Sequence, residues 1–342
     1  MDAAPVSDAV RMASSPDILK VVGLTTEFRG RHSRIRANDD ITIAIRRGSI
    51  LGIVGESGSG KSVLCRSILR LLPPSANAHV EGTVTYDGRD LLSLSEEEMR
   101  RLRGTELRMI FQNPMTSLNP VWPIGDQITE GLRVFGGLSS RQARDRGIEL
   151  LGRVGIPSPE RRFDEYPFQW SGGMLQRAVI AMAMAGSPKL LFADEPTTAL
   201  DVTIQDQILA LLLELQERSG MTLVLVSHDL AVVAETCDRI AVMYAGRIVE
   251  TAPTKSIFDA PHHPYTAGLL NSIPHLSEGA SRLKPIPGQP PDLAKLGQGC
   301  PFMPRCSHAS ADCSTSAIRL NETGPDRFSA CLHPERIVGA AP

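Results

Sequence analysis

Gly55-Glu56-Ser57-Gly58-Ser59-Gly60-Lys61-Ser62 carries the spacing Gly, four residues, Gly-Lys-Ser that a triphosphate needs from a single loop. Its glycines permit backbone angles that turn several N–H groups inward. Those groups, and the positive end of the helix that Val63 continues, cradle β- and γ-phosphates. Lys61 is placed to reach the β/γ oxygens, and the Ser62 hydroxyl to ligate Mg²⁺. Further along, Asp194-Glu195 ends the apolar run Leu190-Leu191-Phe192-Ala193. Asp194 there suits Mg²⁺ held through its hydration shell. Glu195 suits a base polarising the attacking water, a role contributing roughly 10²–10⁴-fold in rate, or about 3–5 kcal/mol of barrier. A third element, Trp170-Ser171-Gly172-Gly173-Met174-Leu175-Gln176, pairs an N-capping serine with two glycines. It leaves a bare helix N-terminus that attracts anions.

These groups act only if the chain positions them. Ile50-Leu51-Gly52-Ile53-Val54 is an apolar run of strand length before the loop, and Lys61 to Leu72 has apolar residues at helical spacing before Pro73-Pro74. Leu190–Ala193 is apolar throughout, as a strand covered on both sheet faces should be. Such strands deliver their ligand residues at the C-terminal edge of an open parallel sheet. Ile18 to Ser49 predicts two antiparallel edge strands, with Glu81–Tyr86 a third. Ser95-Glu96-Glu97-Glu98 predicts a capping box opening a basic helix through Arg103. The pattern is helical from Pro123 to Gly186. Asp201 to Arg218 predicts a long helix, capped by Asp201 and closed by Gly220. Ile240–Tyr244, Ala245-Gly246 and Arg247–Val249 predict a hairpin. No internal repeat is visible, so the chain holds one nucleotide-binding domain.

Composition narrows the class. The chain has 342 residues, enough for a large core and more than one domain. Its 36 basic and 38 acidic residues nearly balance, which is not the field nucleic-acid binding requires. The longest strongly apolar segments, such as Ala178 to Ala185, fall far short of the ~20 residues that span a bilayer. Met1 to Pro16 has no apolar signal core and is expected to be a disordered tail. A soluble, cytosolic chain that reaches a membrane through partners is the expectation.

The order of the motifs resembles the nucleotide-binding subunit of an ABC transporter, from roughly Ile18 to Thr251. The marks are Gln112 after Met109-Ile110-Phe111, Ser171-Gly172-Gly173, Thr198-Ala199-Leu200-Asp201 after Glu195, and His228 after the apolar Leu223–Val226. The resemblance implies an α/β, P-loop (RecA-like) domain with an antiparallel β edge and a helical subdomain, residues 17–252 with the helical part at about 123–186. It makes Gln112 a contact to Mg²⁺ or the attacking water, His228 a γ-phosphate contact, and Asp201 the aspartate between subunits. Ser171, Gly172, Gly173 and Gln176 would close over ATP held by a second ATPase subunit. Trp170 and Leu175 depart from the family's usual leucine and polar residue. The adenine contact is open: Phe28 is expected to point into the sheet, leaving Arg31 or His32 to stack on the base.

Two further stretches are similar to oligopeptide/dipeptide ATP-binding subunits. These are Met109 to Asn119 and Pro261-His262-His263-Pro264-Tyr265-Thr266. That family implies a heterodimer of ATPases, two transmembrane permease subunits docking near Gln112, and a substrate-binding protein, at the cytoplasmic face of the membrane. Nickel, glutathione or oligosaccharide cargo occurs in the same family. A non-transport ABC ATPase acting on nucleic acid or ribosomes is the alternative from another class.

Residues 253–342 form the expected C-terminal extension. Four of the six cysteines, Cys300, Cys306, Cys313 and Cys331, lie there among Pro, Gly and Ser, a composition too poor in apolar surface to order itself. A cytosolic chain does not favour disulfides, and the spacing matches neither a zinc ribbon nor a ferredoxin run. Spacing alone leaves bound metal and free thiols both open. Gly299–Cys306 is similar to the peptide-transporter extension, which implies a 4Fe–4S cluster on the four cysteines, with zinc as second choice. Cys65 and Cys237, in apolar helical settings, are expected in the core.

Overall fold

The structure is a computed structural model describing residues 16–30, 33–198, 200–272 and 285–338. Of the expected tail 1–16 only Pro16 is among the described residues, and Arg31 and His32 lie outside them. The chain divides into two compact units. One comprises Met1–Arg47, Leu51–Leu92 and Ser227–Pro342, the other Gly48–Ile50 and Ser93–Val226.

In the first unit, Arg34–Arg46, Asp17–Arg29, Ala78–Tyr86 and Arg89–Asp90 form an antiparallel sheet in that spatial order. Alternation supplies its inner face, with Leu19, Val21, Leu24, Ile41, Ile43 and Val84 all buried. Phe28 lies at the end of this sheet, paired with Ile35 on one side and Ala78 on the other. The strand Ile50–Val54, buried along its whole length, pairs in parallel with Arg239–Tyr244. Arg239–Tyr244 turns through Ala245 (φ 47°) and Gly246 (φ 79°) into Arg247–Pro253. Both turn residues have positive φ, as a two-residue hairpin matching strand twist requires.

The tail orders itself differently from what its composition suggests. Arg327–Ser329 pairs antiparallel with Arg247–Pro253, and Asn321–Gly324 pairs with Arg327–Ser329. The extension thus satisfies its backbone on a strand edge that already exists, and needs no core of its own. Glu250, fully buried, secures the join. Its carboxylate accepts from the backbone N–H of His262 (2.7 Å) and His263 (2.9 Å) and from Arg327 Nη2 (2.9 Å). Burial pushes the Glu250 carboxyl upward, against the pull of Arg327 and the His262 amide. His263, also buried, accepts from Tyr265 N–H at 3.1 Å, capping the helix Pro264–Leu270. Desolvation lowers its pKa to about 3, which keeps the imidazole neutral so that Nδ1 can accept in that cap.

In the second unit, Leu107–Ile110, Leu190–Asp194 and Thr222–Ser227 run parallel as neighbours. The helices Ile124–Val134, Ser140–Arg153 and Gly172–Met184 pack on one another, and Ile128, Leu150, Leu151, Val179 and Ile180 are buried. Both bonds of the capping box are present at Ser95/Glu98, opening Glu96–Thr105. A second box, Ser139/Gln142, opens Ser140–Arg153. Val202–Ser219 is capped by Asp201, whose Oδ1 accepts from Ile204 N–H at 3.0 Å, and closed by Gly220 at φ 66°. The helix after the phosphate loop is shorter than its apolar spacing predicts, ending at Ile68 because Arg70 takes a left-handed φ of 52°. Among the described residues, no helix is long and apolar enough to cross a membrane.

Candidate nucleotide and cysteine sites

The phosphate loop is built within the first unit. Gly55 ends the strand at φ 155°, and Gly60 precedes the helix Lys61–Ile68 at φ 101°. A Cβ on Gly60 would sit 2.3 Å from the Ala37 carbonyl oxygen, and one on Gly55 would sit 2.2 Å from that of Met243. Neither contact can relax by moving a flexible side chain, because both partners are backbone. Ser59 N–H donates to Glu56 O (3.2 Å), Gly246 N–H to Ser59 O (3.0 Å), and Asn38 Nδ2 to Gly60 O (3.1 Å). Lys61 Nζ donates to Gly55 O at 2.7 Å and Glu56 O at 3.1 Å, which folds the ammonium over the loop. Ser57 and Gly58 are exposed at the rim. His228 is also exposed, directly before Asp229, the cap of the helix Leu230–Thr236.

The acidic pair is built within the second unit. Asp194, fully buried, ends the strand Leu190–Asp194. Glu195 follows in a left-handed conformation, φ 46°, held by its N–H to Val226 O at 3.0 Å. A non-glycine residue in this region stores strain that its surroundings must sustain. Two groups fix the carboxylate: Gln112 Nε2 and Thr198 Oγ1 each donate to Glu195 Oε2 at 3.0 Å. Gln112, which donates to Glu195 through Nε2, keeps Oε1 as an acceptor, so one side chain both orients the carboxylate and presents an oxygen.

Ser171 and Gly172 are exposed, and Ser171 Oγ accepts from Met174 N–H at 3.4 Å at the head of Gly172–Met184. The helix start is therefore capped but uncovered. The two departures from the family pattern have packing reasons. Trp170 is buried with Nε1 donating to Glu165 at 2.9 Å, and Leu175 is buried in the helix's inner face. Gln176 is 1 % exposed, so its amide faces the packing of its own chain rather than solvent.

The four cysteines of the extension gather in the first unit. Cys300, Cys306, Cys313 and Cys331 line one cavity of about 20 Å³, with His308 and His333 at its wall. Burial, reinforced by the neighbouring thiols, raises Cys300 and Cys306 and pushes Cys331 up to about 11. A bound cation reverses both effects, since a coordinating thiol is deprotonated outright. Among the described residues, Asp312, Cys313 and His333 bring one donor atom each to within 4.8 Å of one another. All six cysteines are free, with Cys65 and Cys237 in the core and burial pushing Cys237 up to about 12.

Sequence reasoning did not find Thr198 as a support for Glu195. Nor did it find Tyr265 and Arg305, which contact Glu56 of the phosphate loop. Both lie in stretches singled out for resemblance, but Arg305 is 249 positions from Glu56, and no local signal reports such a pair.

A glycine-determined phosphate loop on one unit, and a buried aspartate beside an oriented glutamate on the other, define a P-loop ATPase. Comparison with known proteins places it further. The ABC transporter family matches residues 38–198, and the family described as oligopeptide/dipeptide transporter, C-terminal region, matches residues 249–313. A probable peptide ABC transporter ATP-binding protein of Sinorhizobium fredii is 49 % identical over 96 % of this chain and 99 % of its own length. A protein of Brucella melitensis described as a peptide import ATP-binding protein is also 49 % identical, over 95 % of this chain and 99 % of its own. Among solved structures, a dimeric ATP-binding cassette bound to ADP and phosphate superposes with a TM-score of 0.61. It is 29 % identical and covers 69 % of this chain and 98 % of its own. The chain belongs to the ATP-binding proteins of ABC transporters and is an ATPase of that family.

Proposed function

We propose that ATP hydrolysis by this chain powers the import of dipeptides or oligopeptides. In this reading the loop Gly55–Ser62, with Val63, receives the β- and γ-phosphates, and Lys61 turns its ammonium from loop carbonyls to phosphate oxygens. Glu195 takes the proton of the attacking water, and His228 and Gln112 contact the γ-phosphate and the water. The carrying observation is the Glu195 carboxylate, held by both Gln112 and Thr198 at the end of the strand that bears Asp194. Ser62, Asp194 and Gln112 Oε1 are hard oxygen donors of the kind Mg²⁺ takes. When bound, the ion neutralises charge developing on the phosphates. Ser171, Gly172, Gly173 and Asp201 would face ATP on a second, related ATPase subunit. Two permease subunits and a substrate-binding protein complete the importer.

Peptide cargo rests on the two relatives described as peptide transporter proteins and on the matched C-terminal region. Reconstitution into vesicles with permease and binding-protein subunits tests it. Peptide should stimulate hydrolysis and accumulate inside. Stimulation by nickel, glutathione or an oligosaccharide instead would reassign the cargo, and stimulation by nucleic acid would remove the transporter reading.

The four cysteines fit a metal, because half-buried thiols lining one cavity, whose thiolate forms would repel one another, gain from a shared cation. In our reading that group is a 4Fe–4S cluster, which would brace the extension. Anaerobically purified protein is expected to be brown and to contain iron and acid-labile sulfide. A colourless protein with one zinc would transfer the site to zinc, with Asp312 and His333 as candidate ligands.

A further inference from the structure

A buried cluster in the first unit joins the extension to the phosphate loop. Arg305, 8 % exposed, places Nη1 2.7 Å and Nη2 2.9 Å from the two carboxylate oxygens of Glu56, the second residue of the loop. Its Nε donates to Pro287 O at 2.9 Å, which fixes the guanidinium plane. The Tyr265 hydroxyl accepts from the Glu56 backbone N–H at 2.8 Å. Tyr244, Tyr265 and Phe302 pack around these groups with ring centroids 4.5–5.4 Å apart, and all three are buried.

We infer that Arg305 and Tyr265 are positioning residues of the phosphate loop: they hold Glu56, and through it the loop and its lysine, in the geometry that receives ATP. Glu56 has its backbone N–H and both side-chain oxygens engaged by the extension, while its carbonyl accepts from Ser59 N–H and Lys61 Nζ. A shift of Glu56 therefore moves the Ser59 turn and the Lys61 anchor together. The paired bonds from one guanidinium fix orientation as well as distance, which a single contact would not.

Charge supplies a second reason. Glu56 puts a carboxylate in a loop whose ligand is a polyanion, and like charges at close range in a partly desolvated site repel strongly. Arg305 neutralises that carboxylate from behind. The pair lets the loop use an acidic residue as a structural tether without turning away phosphate. A contact that merely docked the extension would have no such consequence for ATP.

The test uses the purified full-length chain, titrated with ATP, with turnover measured at saturating ATP and thermal midpoints measured without nucleotide. Arg305→Gln should weaken ATP binding about tenfold, equivalent to ~1.4 kcal/mol, with a much smaller change in kcat. The loss should grow at low ionic strength, where the exposed carboxylate is less screened. The double variant Glu56→Gln/Arg305→Gln should recover only part of the affinity: the share lost to charge repulsion returns, while the share lost with the tether does not. Tyr265→Phe, which preserves ring packing, should weaken ATP by a few-fold and provides the readout should Arg305→Gln not fold. ATP affinity unchanged in Arg305→Gln or Tyr265→Phe, even with a lowered midpoint, would show a docking contact only. A double variant no better than the single would likewise overturn the charge argument.

Discussion

Glu195→Gln is expected to lower ATP turnover by about 10²–10⁴-fold, the usual contribution of a positioned general base, while ATP still binds. The amide is isosteric, so Thr198 can still donate to its oxygen and the left-handed backbone at φ 46° is undisturbed. What is lost is the capacity to take a proton, which matters only once water attacks. The effect should therefore fall on kcat, with KM for ATP little changed. Binding without hydrolysis should also let an ATP-bound dimer accumulate, visible by size exclusion. Turnover within threefold of the parent would remove Glu195 from the role of base. Thr198→Val provides a graded comparison: it deletes one bond that orients the carboxylate and leaves that from Gln112, and its effect should be far smaller.

The second large effect is on stability. Glu250→Ala is expected to destabilise the first unit by about 3–5 kcal/mol, because breaking a buried ion pair from one side leaves the other charge uncompensated. Here the orphaned groups are Arg327 and the N–H groups of both His262 and His263. Domains are held by only about 5–15 kcal/mol, so the loss would be a large share of the total. Glu250→Gln keeps an acceptor and should cost clearly less than the alanine. Urea unfolding followed by tryptophan-independent circular dichroism would give both values. An alanine variant within 1 kcal/mol of the parent would show that the tail's attachment does not depend on this carboxylate. The burial that raises the Glu250 pKa also explains why Arg327 accompanies it: an ionised carboxylate with no solvent needs both amides and a cation.

The glycine loop was legible in the sequence because it is local. Gly55 to Ser62 is one loop, and Gly55, Gly58 and Gly60 carry the positive φ (155°, 80° and 101°) that the turn itself requires. Caps were legible for the same reason. Asp201, Ser95 and Ser171 each bond an N–H only three residues on, so residue type and spacing suffice. The apolar strand Leu190–Asp194 announced its burial by having no polar face. The tail misled because composition measures what a segment can bury alone. It says nothing about an open strand edge elsewhere in the chain, and Arg327–Ser329 orders on such an edge.

By itself, then, the sequence determined an ATPase: where the glycine loop lies, which strand ends in the acidic pair, and which helix starts a side chain caps. Tertiary structure decided how those parts are held. Gln112 and Thr198 meet on Glu195, Arg327 meets Glu250, and Arg305 reaches Glu56 across 249 positions. The reason is physical. Caps and loops are set by backbone geometry over a few residues, whereas a buried charge must find its partner through space, and chain separation places almost no constraint on which partner that is.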